Sequence, residues 1–118
     1  MNASEFVTAI RSEVQESATD ETMSLLQRPP GRRPAPSLAS LSQWFNALPE
    51  ADQQRVREVA AMASHGAVFG FLAVLDGVRV IEDEPEKGTF ELRYLKGEQV
   101  TLLNDPSRPP LHDILQQQ

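Results

Sequence analysis

Nine consecutive residues, Ala67-Val68-Phe69-Gly70-Phe71-Leu72-Ala73-Val74-Leu75, carry neither a charge nor a hydrogen-bonding side chain. In a chain of 118 residues such a run belongs in the middle of a core. The rest of the sequence then reads as what packs around it. A chain of this length predicts one domain, 1–118. Within it, 1–27 is helical, 28–36 is a linker rich in proline and arginine, and 37–118 is the core.

Two readings of the run compete. In one, a helix that starts after Pro49 continues to Leu75, with Gly77 as its left-handed cap. In the other, the helix stops near His65-Gly66, 68–75 is a strand, and Asp76-Gly77 turns the chain into Val78-Arg79-Val80-Ile81. The helix is favoured. Val56, Val59, Ala60 and Ala63 start an inner stripe that runs on through Ala67, Gly70/Phe71 and Val74 without a phase break. Alanines along its length outweigh two glycines. The result is a central helix over about 50–75, roughly 39 Å long.

The other elements follow from period and punctuation. Asn2 and Glu5 have capping-box spacing. Phe6, Val7, Ile10 and Val14 form a helical stripe that Ala18, Thr22 and Leu25 extend towards Gln27, unless Thr19-Asp20 breaks it. Pro29 and Pro30 end that segment. Ser37 is placed to cap a helix carrying Leu38, Leu41, Trp44, Phe45 and Leu48, with Trp44 read as a core anchor rather than a surface residue. Phe90, Leu92 and Tyr94 alternate as in a strand. Val100–Leu103 is the return strand, and Val78–Ile81 a third. Leu111, Ile114 and Leu115 suit one amphipathic helical turn. The fold class is therefore α+β: a helical N-terminal part and a long central helix packed on a small antiparallel sheet within about 78–103.

The net charge is −6. Four of the acids, Glu82, Asp83, Glu84 and Glu86, stand almost together, while Arg28, Arg32 and Arg33 make the linker the one basic stretch. A negative surface repels phosphate backbones, which argues against nucleic acid. A basic protein is the easier partner. The linker reads either as a docking strip for such a contact or as a stiff connector whose arginines pair with the chain's own acids.

There is no cysteine, so no thiolate metal site or disulfide, as in a reducing compartment. Met1–Glu5 has no basic start before an apolar stretch, which predicts no secretory signal. The nine-residue run is shorter than a bilayer requires. The expected location is the cytoplasm, without a membrane.

The inventory for chemistry is thin. The chain has two histidines, no glycine-rich phosphate loop and no zinc-protease signature. His65, His112 and Asp113, with Asp76 nearby, are the only set that would make a metal or acid–base site if the fold joined them. Asp76-Gly77 and Glu82-Asp83 otherwise read as a cap and a solvated loop. No catalytic residue and no cofactor is assigned.

Three stretches, Ser24–Pro34, Ala67–Arg79 and Leu102–Asp105 with Leu111-His112-Asp113, resemble a group of small uncharacterised bacterial proteins. That group has no assigned activity, so the resemblance transfers no functional residue. In size, acidity and lack of catalytic groups the chain is also similar to immunity proteins, which bacteria make against contact-delivered toxins. These readings converge on a non-enzymatic protein-binding module of the bacterial cytoplasm, an immunity-type inhibitor or small accessory factor. Glu82, Asp83, Glu84 and Glu86 would meet the partner, and Arg32 and Arg33 would add a second contact. The alternatives are a small metal-dependent hydrolase using His65, His112 and Asp113, and a structural homodimer through Trp44-Phe45 or the end of the central helix.

Overall fold

The computed structural model describes residues 1–118. It is an α+β chain dominated by one long helix, with a small two-stranded antiparallel sheet. Its contacts divide it into two compact units, residues 14–65 and residues 1–13 with 66–118.

Helix α1 (Ala3–Ile10) opens with the expected capping box: Asn2 accepts from the Glu5 N–H at 2.8 Å, and Glu5 accepts from the Asn2 N–H at 2.9 Å. The helix does not break at Thr19. It loosens into a π-helical stretch (Arg11–Glu16) and resumes as α2 (Ser17–Gln27). This changes which side chains point inward. Val7 is buried, but the stripe expected to follow at Val14, Ala18, Thr22 and Leu25 is displaced by one residue. Thr19, Met23 and Leu26 are buried instead, and Val14 and Leu25 are exposed. A π-helical turn holds about one residue more than an α turn, so every later side chain faces where its predecessor would have faced.

In unit 14–65, α3 (Pro36–Asn46) starts two residues earlier than expected. Pro36 takes the first helical position and Ala35 is the N-cap; Ser37 lies inside the helix. The core is Met23, Leu26 and Phe45, with Leu48 and Val56 against it. Trp44 is not the anchor. It is 52% exposed, whereas Phe45 beside it is 1% exposed. Neighbours on a helix point about 100° apart, and the face that α3 turns to α2 admits only one of them. Asn46 holds the end of α2, donating to the Leu26 and Gln27 carbonyls at 3.3 Å each.

Helix α4 (Glu50–Leu75) is the continuous 26-residue helix. Pro49 precedes it and accepts from the Asp52 and Gln53 amides. It is long and apolar enough to cross a membrane by length and composition, and most of its apolar stretch is unburied. The expectation that the nonapeptide is wholly internal is therefore corrected. Gly70, Leu72 and Ala73 are buried, but Phe71 and Ala67 are exposed, as are Val59 and Ala63 of the expected inner stripe. Gln53, Val56, Arg57, Ala60 and Ser64 turn inward in their place. From Val59 on the only polar side chains of the helix are the adjacent Ser64 and His65, and both are half-buried, so its pattern does not mark which side is buried.

In the second unit Leu72 packs with Val7 and with Leu111 and Leu115 of α5 (Leu111–Gln116). Strands β1 (Arg93–Lys96) and β2 (Gln99–Leu102) pair antiparallel with Arg93 opposite Leu102. The bond from the Leu103 N–H to the Leu92 carbonyl, at 2.8 Å, extends the ladder one step. The third strand at Val78–Ile81 is absent, so the sheet is confined to 93–102.

Candidate functional site

The end of α4 organises the only cluster of buried polar groups in its unit. Gly77, at φ +77°, lets the chain leave the helix. The Val78 N–H then reaches the Ala73 carbonyl at 3.0 Å and the Gly77 N–H the Val74 carbonyl at 3.1 Å, the paired bonds of a glycine C-cap. Arg79 folds back so that its guanidinium lies over Gly70; a Cβ there would collide with it.

Asp76 sits at the end of the helix, where the dipole is negative and an acid is unfavourable. The compensation comes from α5. Asp76 Oδ2 accepts from the His112 backbone N–H at 2.9 Å and from His112 Nδ1 at 2.6 Å. The first of these satisfies a free amide in the opening turn of α5, whose N-cap is Pro110 and supplies no side-chain bond. The second requires the Nδ1-protonated ring. His112 Nε2 faces Asp113 Oδ1 at 3.3 Å, and the Phe69 ring meets the imidazole edge-on at 5.5 Å.

Asn104 completes the cluster. Its amide donates to the Leu75 carbonyl, one of the unpaired carbonyls at the end of α4, and to the Phe90 carbonyl, both at 2.8 Å. Its Oδ1 accepts from the Leu92 N–H at 2.8 Å. One side chain thus satisfies three backbone groups. Beside it opens a cleft of about 300 Å³ lined by Asp76, Phe90, Asn104, Asp105 and Arg108 among others. Asp105 accepts from the Ser107 amide and hydroxyl at 2.9 and 2.7 Å. Those bonds, with the nearby Arg108 charge, hold its carboxyl below the ordinary aspartate value.

An Asp–His pair is the base-and-orienter half of a nucleophilic site. Here the other half is missing: Nε2 faces a carboxylate, and no hydroxyl bonds to His112. Of the residues singled out for a metal, the fold joins His112 and Asp113 with Asp76. His65 belongs to the other unit. No group of three or more His, Asp or Glu side chains is arranged to hold a metal ion.

The partner-binding candidates are placed differently. Glu82, Asp83, Glu84 and Glu86 are all exposed, in a stretch without regular secondary structure. Glu82 accepts from the Gly88 N–H at 2.9 Å. Arg32 and Arg33 are exposed in the connector between α2 and α3, at Gly31 with φ +81°. Neither enters an ion pair. The arginines therefore do not pair with the chain's own acids. The sequence reading missed Asn104. It also missed the role of Asp76. An acid ending a helix, and a helix preceded by Pro110, are the two signals that such a cross-link was required.

No protein-family model, curated protein or solved structure matches the chain.

Proposed function

We propose that the chain is a non-enzymatic protein-binding module for a basic partner, acting as an immunity-type inhibitor or accessory factor in bacterial cytoplasm. One observation carries the reading. Val78, Val80, Ile81 and Phe90 expose large apolar side chains immediately before and after the acids Glu82, Asp83, Glu84 and Glu86. Exposed apolar groups bordered by charge of one sign are the composition of a recognition surface. Asp76 and Asn104 are instead consumed in holding backbone, and the His112 ring lies between two carboxylates. Arg32 and Arg33 offer a separate contact for acidic groups of a partner.

A photo-crosslinking residue placed at Phe71, Ile81, Phe90 or Leu95, in cells of the source bacterium, tests the reading. The expected result is one recurrent adduct from Ile81 and Phe90 and none from a polar control at Gln54. No adduct at any apolar position overturns it, and so does turnover of a phosphoester by the purified chain. A homodimer is the second reading, favoured by Leu41 and Trp44, each 52% exposed and three residues apart on α3. The monomer mass of 13.1 kDa at every concentration in light scattering removes it.

A further inference from the structure

Between α4 and β1 the chain runs through residues 80–91 without one backbone-to-backbone hydrogen bond. Both ends of this stretch are fixed. The Arg79 N–H is bonded to the Ala73 carbonyl at 3.1 Å, and the Phe90 carbonyl is held by Asn104. Its first part, Val78-Arg79-Val80-Ile81, has the composition of a strand, and Val78, Val80 and Ile81 are each more than 60% exposed. The Val78 and Arg79 N–H groups are taken by the Ala73 carbonyl, but from Val80 on strand-forming side chains stand on backbone groups with no backbone partner, a template for another strand. The sheet in this unit has only two strands, fewer than a sheet needs to be stable alone.

The occupant follows from charge. A pair formed with a second copy brings eight acids, Glu82, Asp83, Glu84 and Glu86 of each, to one junction against only Arg79 and Lys87 of each. Like charges across strands are destabilising. A strand that alternates apolar with basic residues meets no such penalty. Its apolar side chains cover Val80 and Ile81, while its lysines or arginines reach the four acids.

Resting on the protein-binding reading above, we infer that residues 80–83 accept an extended, basic-apolar segment of the partner by strand addition. Main-chain bonds would supply affinity, and the acids would select the partner and speed its approach.

The test uses the full chain and a short synthetic peptide alternating valine with lysine or arginine. Amide exchange by NMR should become slower from Val80 to Asp83 when the peptide is added. Affinity should fall about tenfold in Asp83→Asn/Glu84→Gln/Glu86→Gln, a variant that leaves the Glu82 bond in place. N-methylation of alternate peptide amides should weaken binding by a similar factor, about tenfold, with no change to the protein.

The inference is overturned if the peptide does not bind or binds without protecting these amides. Equal affinity of the N-methylated peptide, or of one with glutamate at the basic positions, also overturns it. So does protection of the same amides by the chain's own dimerisation, or by vesicles of anionic phospholipid. If crosslinks from Phe71 or Leu95 to one host protein persist in any of these cases, the protein-binding reading stands and only the mode is wrong. If crosslinks are absent everywhere, the reading itself fails.

Discussion

Asp76 shows how one side chain is placed by its tertiary partner against its local preference. At the end of α4 it opposes the helix dipole, and its 4% exposure removes most of its water. The two bonds from His112 offset both effects. Asp76→Ala should lower stability by about 3 kcal/mol, seen as a lower urea midpoint, because it leaves an amide and an imidazole N–H without an acceptor. Asp76→Asn keeps an acceptor oxygen and should lose less. A carboxylate held in strain for catalysis would behave in the opposite way, and its removal would leave stability unchanged or raised. Asp105 differs, being only half-buried and answering only to its neighbours. Its lowered pKa means that its bonds to Ser107 favour the folded chain above the unfolded-state value. That contribution is lost as pH falls through the lower folded value. Carbonyl NMR titration should place the Asp105 midpoint below that of ordinary aspartates, and Ser107→Ala should move it up. The ionisable members of the site were legible as residues, since Asp76, His112 and Asp113 are among few candidates in the chain. Their roles were not, because sequence spacing cannot reveal that Asp76 reaches a residue 36 positions away.

At the scale of elements, the long helix was legible and its orientation was not. The unbroken stripe, the acids after Pro49 and the glycine at 77 all fix where α4 begins and ends. Which face is buried depends on a contrast between sides, and beyond Val59 the only polar side chains, Ser64 and His65, are themselves half-buried. The first helix failed for a different reason. Its stripe was extrapolated at 3.6 residues per turn across Arg11–Glu16, where the backbone is π-helical. Nothing in Arg-Ser-Glu-Val-Gln-Glu signals the change. Deletions test this account. Removing Glu13, an exposed residue of the π-helical stretch, should convert it to ordinary α-helix and keep Thr19, Met23 and Leu26 facing inward. We expect a stability loss within about 1 kcal/mol. Removing Glu21 from α2 should rotate Met23 and Leu26 by about 100°, out of the core with Phe45, and abolish the folding of unit 14–65. Circular dichroism and urea titration of the two deletions distinguish the cases. Equal damage by both would mean that the π-helical turn is not an inserted residue. The third strand failed because Val78–Ile81 has strand composition but finds no ladder partner in its own chain.

For the molecule as a whole, the balance between apolar surface and charge decides how it behaves in solution. Fourteen large apolar side chains are substantially exposed, far from the few isolated ones that need no explanation. Against them stands a net charge of −6, with the densest acids set beside Val80 and Ile81. Mutual repulsion at neutral pH keeps such surfaces apart in dilute salt, and a Debye length of about 10 Å at 0.1 M leaves part of it in force. The sequence isoelectric point is near 4.8. Approaching it removes the repulsion and leaves the apolar groups unchanged. Dynamic light scattering should therefore find dispersed particles at pH 7 in low salt and association near pH 4.8. Ammonium sulfate at pH 7 should have the same effect, since it screens charge and strengthens apolar burial together. Exchanging Val80 and Ile81 for threonine should shift the onset of association to higher salt. If the onset does not move, the apolar groups beside the acids are not what the charge restrains, and the recognition surface must be sought elsewhere on the chain.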